Sequence, residues 1–170
     1  MQQHIEKFKT HLVAEKGASE NTVAGYLNDL DQFSRFLIKT GHACGSRGIV
    51  DINKVDRLAV RSYMVQMHDR GLSGTTMSRK LSSLSSFFKF LCREGHLQNN
   101  VVKSIPAPKK ESHLPSFLSV DDIFRLMELP EANTLIGTRD RAILEMFYST
   151  GMRISELVTL QLDFINRENR

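Results

Sequence analysis

Between Met77 and Leu91 the apolar residues Met77, Leu81, Leu84, Phe88 and Leu91 recur at intervals of three and four. That spacing gathers them on one face of an α-helix and would scatter them over both faces of a strand. A stripe of this kind is stable only when buried against others like it, and the residues before it supply three. Ile5, Phe8 and Leu12 predict a short first helix over residues 5 to 15, stopped at Gly17. Ser19 stands where an N-cap belongs, ahead of Val23, Leu27, Leu30, Phe33 or Ser34, and Leu37, a longer stripe running to Gly41. Three glycines in Gly41 to Asp51 predict a loop, after which Asp56 caps a third helix with Val60, Tyr63 or Met64, and Met67, ending at Gly71. Ser73 opens the fourth helix, which runs to Gly95. Period-2 alternation is nearly absent, so the first part of the chain is expected to be an all-α four-helix bundle.

Residues 103 to 118 hold three of the four prolines and no helical period, the composition of a linker. The expected organisation is a helical domain over 1–102, a linker over 103–118 and a second segment over 119–170. In that segment Ser119 restarts helix with Val120, Ile123 and Met127 facing inward. Thr138 or Asp140 opens the next helix, whose Ile143, Leu144, Phe147 and Tyr148 face a core before Gly151 ends it, and a last short helix spans about Ile154 to Leu160.

The net charge of +4 conceals an asymmetry: residues 1–110 carry seventeen Lys/Arg against nine Asp/Glu, and residues 111–170 carry six against ten. The balance of +8 in the first part attracts polyanions, unless it is only a solvated surface. Cys44 and Cys92 form no CxxC pair and have no metal-ligand spacing with any histidine, so free thiols in a reducing compartment are expected. The start, MQQHIEKFKTHL, has no uninterrupted apolar run and no stretch approaches the roughly 20 apolar residues of a membrane span. A cytoplasmic chain without membrane contact is the expectation, and no metal or cofactor motif occurs.

The fourth helix carries the clearest chemical signal. From Gly71 to Arg93 there is no acidic residue, while Arg79, Lys80, Lys89 and Arg93 alternate with Ser78, Ser82, Ser83, Ser85 and Ser86. Positions 79, 82, 83, 86 and 89 share a face opposite the leucine stripe, with Thr75 a further hydroxyl near the start of the helix. Serines are mediocre helix formers, so a merely solubilising face would more readily use Glu and Lys. Short hydroxyls with interspersed cations suit close approach to a nucleic-acid backbone; the alternative is a solvated, serine-rich face. On the second helix Asn21, Thr22 and Tyr26 lie near an N-terminus that favours phosphate, although Tyr26 serves equally as half-buried packing. Lys109 and Lys110 either track a backbone or keep the linker soluble.

The run Asp140-Arg-Ala-Ile-Leu-Glu-Met-Phe-Tyr-Ser-Thr-Gly-Met-Arg-Ile-Ser-Glu-Leu-Val-Thr-Leu160 closely resembles the first catalytic-arginine box of tyrosine recombinases, the phage-integrase and Xer group. The upstream runs Asn21-Thr-Val-Ala-Gly-Tyr-Leu-Asn-Asp-Leu30 and Arg79-Lys-Leu-Ser-Ser-Leu-Ser-Ser-Phe-Phe-Lys-Phe-Leu91 resemble that group's core-binding domain. The resemblance covers essentially the whole chain. It implies a SAM-like four-helix core-binding bundle, a linker and the first helices of a truncated catalytic domain. One departure is Asn100-Val101, where the group usually has Asn-Pro.

By this resemblance Arg153, at the corner where one helix ends at Gly151 and another begins, would clamp the scissile phosphate with two hydrogen bonds. It would stabilise the charge that develops as a tyrosine attacks, a role worth about 10²-fold when such a donor is removed. Glu156 would support it. The corner is expected to be rigid, with helical packing on both sides and the guanidinium aimed at a duplex held by the basic part; otherwise Arg153 and Glu156 form only a surface pair. The group's later elements, a hairpin lysine, a His-x-x-Arg box, a His or Trp and the nucleophilic tyrosine, have no counterpart here. The resemblance therefore implies part of a longer recombinase, inactive by itself, whose partners are double-stranded DNA and further protomers in a tetramer, and which needs no cofactor. A DNA-binding regulator built on the same fold, or a helical protein-interaction module, are the competing expectations.

Overall fold

The computed structural model describes residues 1–45, 49–108 and 116–164. Seven α-helices and two short 3₁₀ turns make up its regular structure, and no strand occurs among the described residues. The first four are α1 (Gln2–Ala14), α2 (Glu20–Thr40), α3 (Arg57–Asp69) and α4 (Gly74–Arg93). Their starts follow the capping chemistry of the sequence: the Ser19, Asp56 and Ser73 side chains accept from the backbone N–H groups of Thr22, Ala59 and Thr76. Helix α2 ends where Gly41 takes the left-handed conformation, φ 72°, which glycine adopts without steric cost.

The chain divides into two compact units, Met1–Ser112 and His113–Arg170. In the first, the four stripes meet: Phe33, Leu37, Leu84, Phe87, Phe88 and Leu91 are completely buried. Edge-to-face contacts tie Phe8 of α1 to Phe87 of α4 and to Tyr26 of α2. The segment between α2 and α3 contributes more than a loop. Asp51 caps a 3₁₀ turn, Ile52–Lys54, and Val50, Ile52 and Val55 are buried in the same core. Val102 and Ile105 join that core from beyond α4.

The second unit contains α5 (Val120–Glu128), α6 (Leu135–Thr150) and α7 (Ile154–Val158). Ser119 caps α5 as expected, but α6 begins earlier than Thr138. Thr134 is its N-cap, accepting from the Gly137 N–H at 3.0 Å, so a Thr three residues before a glycine outcompetes the later Thr and Asp. The expected inward faces are not buried. Val120 is 64% exposed and Tyr148 57% exposed, while Ile123, Met127, Ile143, Leu144 and Phe147 are half-buried. The physical reason is that α5 and α6 pack on each other, and two helices do not enclose a core. Gly137 alone is buried among the described residues of this unit, because the chain folds back on it: a Cβ there would run into the backbone of Glu131.

Candidate nucleic-acid interface

The polar faces of α2 and α4 meet beside a buried carboxylate. Asp29 of α2 is 1% exposed and accepts from Arg79 Nη1 at 2.5 Å and Nη2 at 3.1 Å, from Lys80 Nζ at 2.8 Å and from Ser83 Oγ at 2.8 Å. Lys80 also donates to Gln32 Oε1 at 2.9 Å. Burial pushes the Asp29 carboxyl upward, but the hydrogen bonds from Lys80, Ser83 and Arg79, with the Lys80 charge, outweigh it and hold the group below the usual aspartate range. An isolated buried carboxylate would be very costly; surrounded by two cations and a hydroxyl it stays ionised.

This arrangement revises the expected α4 face. Lys80 is only 5% exposed, so its ammonium is committed to Asp29 rather than presented to solvent. Ser83 and Ser78 are buried as well; Ser83 faces Asp29, and its position lies on the flank turned toward α2 rather than on the open face. Arg79 is bridged differently: its side chain is 53% exposed, and two N–H groups on Asp29 leave its other donors for solvent. Thr75, Ser82 and Lys89 are exposed and Ser86 is half-buried. The Ser82 hydroxyl donates back to the Ser78 carbonyl at 2.9 Å, as helical serines commonly do.

Two adjoining clefts follow from this packing. One, of about 310 Å³, is lined by Asn21, Thr22, Gly25 and Tyr26 of α2 with Arg79, Ser82 and Ser83 of α4. The other, of about 420 Å³, lies toward α1, with Phe8, Leu12 and Phe90 among its apolar walls and Lys16, Lys89 and Arg93 as its cations. Thr22 and Tyr26 border both. Tyr26 packs its ring on Phe8 at 5.7 Å, so it serves as packing and as cleft wall together. Thr22 is tied to the Ser19 cap, hydroxyl to hydroxyl, at 2.9 Å. Arg93 donates to Glu15 at 3.1 Å, and the hydrogen bond between Glu15 and His11 holds the Glu15 carboxyl low. Thr75 lines neither cleft, and Lys109 and Lys110 lie outside the described residues. No group of three or more metal-ligating side chains occurs among the described residues, and no helix there is long and apolar enough to cross a membrane.

The corner carrying Arg153 has the expected backbone and an unexpected side chain. Helix α6 ends at Thr150, Gly151 takes φ 64°, and Arg153 becomes the N-cap of α7. Glu156 reaches back to accept from the Arg153 backbone N–H at 2.7 Å and from its Nη1 at 3.1 Å. The guanidinium, however, is 82% exposed. Packing on both sides is therefore absent from this corner: α7 has only five residues and buries none of them.

Sequence reasoning passed over Asp29, and the signal for it lies in α2. Asp29 sits three residues after Tyr26 and four before Phe33, on the flank of the apolar stripe, where an acid needs a buried cation opposite. Comparison with known proteins fits the fold. The model of the phage integrase N-terminal SAM-like domain matches residues 5–95, and that of the phage integrase family matches residues 116–170. The chain belongs to the phage integrase family. It is 38% identical over 160 residues to tyrosine recombinase XerC of Thermodesulfovibrio yellowstonii, covering 94% of this chain and 50% of that protein. It is 34% identical over 166 residues to tyrosine recombinase XerD of Staphylococcus aureus, covering 98% and 54%. The chain thus spans about half the length of these relatives. A lambda integrase dimer bound to a COC′ core site shares the fold at a TM-score of 0.70 and 18% identity, over 98% of this chain and 43% of that one.

Proposed function

We propose that the chain grips double-stranded DNA along the α2/α4 face and, within a protein of its relatives' length, serves site-specific cleavage and rejoining of strands through a phosphotyrosyl intermediate. The observation that carries this reading is the cleft where Asn21 and Thr22 of α2 meet Arg79 and Ser82 of α4, in a unit whose residues match the SAM-like domain. The Asn21 amide and the Arg79 guanidinium meet there at a helix N-terminus, beside the short Thr22 and Ser82 side chains that permit close approach, a mixture suited to backbone phosphates. In this reading residues 1–102 form the core-binding domain, 103–118 the linker and 119–170 part of the catalytic domain, in a cytoplasmic protein. Further recombinase protomers are its partners on DNA. Arg153 is assigned to the scissile phosphate. Its exposure leaves the remaining guanidinium donors open to an incoming anion, while Glu156 accepts from Nη1 and from the backbone N–H.

The test is fluorescence anisotropy of a labelled duplex across a salt series. Affinity should fall with salt at a log–log slope of about −0.9 per phosphate neutralised, and Arg79→Ala with Lys89→Ala should weaken it. Absent or salt-independent binding overturns the proposal. The exposed Arg153–Glu156 pair also suits a regulator that binds DNA without cutting. Arg153→Ala in a protein of the relatives' length separates the two: lost cleavage with retained binding supports the recombinase.

A further inference from the structure

The face of α2 that borders the α2/α4 cleft continues to the other end of the helix. At about 100° per residue, Asn21, Gly25, Gln32 and Lys39 fall within about 40° of one another, and Asn21 and Lys39 stand about 27 Å apart along the axis. At the far end α2 meets α3 around a further cleft of about 320 Å³. Arg35 and Lys39 of α2 and Arg70 from the end of α3 line it, together with Gln32, Gln66 and Tyr63, and no Asp or Glu does. The Arg35 guanidinium is paired with Asp31 on the helix surface, so Lys39 and Arg70 are the lining cations on which the cleft chiefly depends.

Tyr63 supplies a second observation. The residue is 3% exposed, and its hydroxyl, engaged by none of the hydrogen bonds among the described residues, is not one of their buried unpartnered atoms and so reaches solvent. Burial, with the charge of Asp29, pushes this phenol up to about 12, so it remains an O–H donor throughout the physiological range. Lys39 and Arg70, with the acid-paired Arg35 and the Tyr63 hydroxyl, give one concavity the kinds of donor that a polyoxygen anion accepts from.

We propose that the Arg35–Lys39–Arg70 cleft is a second backbone-phosphate site, taking a phosphodiester of the same duplex that occupies the α2/α4 cleft. The proposal rests on the reading of this chain as a duplex binder. The roughly 27 Å between the ends of the α2 face is long enough to reach phosphates on both sides of a major groove about 12 Å wide. Contacts of this kind set register and footprint and carry no sequence information.

The experiment compares Lys39→Ala/Arg70→Ala with a charge-matched pair, Lys7→Ala/Lys54→Ala, both exposed and lining none of the three clefts. Binding of the full chain to a duplex of arbitrary sequence is measured across a salt series. The cleft variant should lose about 1.8 from the magnitude of the log–log slope, two phosphates at about 0.9 each, while the control loses clearly less. Tyr63→Phe, which keeps the ring, should weaken binding severalfold at constant slope. If the cleft variant matches the control while Arg79→Ala/Lys89→Ala still weakens binding, the second site is wrong and duplex binding stands. If neither differs from the control, both readings fall. Calorimetry with inorganic phosphate at fixed ionic strength distinguishes the source of the anion: a saturable site lost in Lys39→Ala/Arg70→Ala would assign the cleft to a small phosphate compound and overturn the proposal.

Discussion

Two arginine–carboxylate pairs in this chain use the same chemistry in opposite settings. Arg79 meets Asp29 where the carboxylate is 1% exposed, beside the buried Lys80, whereas Arg153 meets Glu156 where the carboxylate is 53% and the arginine 82% exposed. The first pair sits between two long helices that share an aromatic core, and its geometry is imposed by that core. The second spans one turn of a five-residue helix, and only local capping holds it. An ion pair takes its energetic weight from the packing around it: exposed pairs are screened and nearly neutral, and breaking a buried pair strands a charge.

The largest test of that contrast is Asp29→Ala, which leaves Lys80 buried without its anion. It should cost roughly 3–5 kcal/mol, read as a lowered urea midpoint; a loss below about 1 kcal/mol would mean that water reaches Lys80 readily. Replacing both partners, Asp29→Asn with Lys80→Met, should recover most of the loss. Next in size, Leu84→Ala in the packed unit should cost about 2–5 kcal/mol, against about 0.5 kcal/mol or less for Phe124→Ala on the exposed face of α5.

Gly137→Ala drives a methyl into the Glu131 backbone and should cost roughly 1–3 kcal/mol. Faster amide exchange in the first turn of α6 would report it, and unchanged exchange would show that the turn yields freely. The pH dependence sharpens the comparison further. Because the folded-state pKa of Asp29 is depressed, its contribution is fully present above the unfolded aspartate value of about 3.9 and is lost as pH falls through the lower folded value. The stability gap between wild type and Asp29→Asn should therefore close on acidification in that window. The smallest electrostatic effect belongs to Glu156→Gln, about 0.2–1 kcal/mol, seen as fraying of α7 by NMR.

Much of the first unit was legible because its determinants are local. Ser19, Asp56 and Ser73 cap the helices they precede, and the residues of the α4 stripe are all buried. The α4 polar face was legible only in part. Arg79, Lys80 and Ser83 read alike along the chain, yet Asp29, fifty residues or more away, ties down all three, burying Lys80 and leaving Ser83 only a sliver of cleft wall. The cations of α2 were passed over for a related reason: Arg35 and Lys39 gain a partner in Arg70 only when α3 docks beside them.

By itself the amino-acid order determined the helical class, the capping of most helices, the basic balance of residues 1–110 and the box around Arg153 by which the family is recognised. These rest on neighbours within a turn or two, where chemistry and chain position coincide. Tertiary structure alone decided which cations are buried counter-ions and which line a cleft, and that the Arg153 guanidinium stands in solvent. Charge burial depends on what arrives from distant elements to exclude water, and spacing along a single helix carries no record of that.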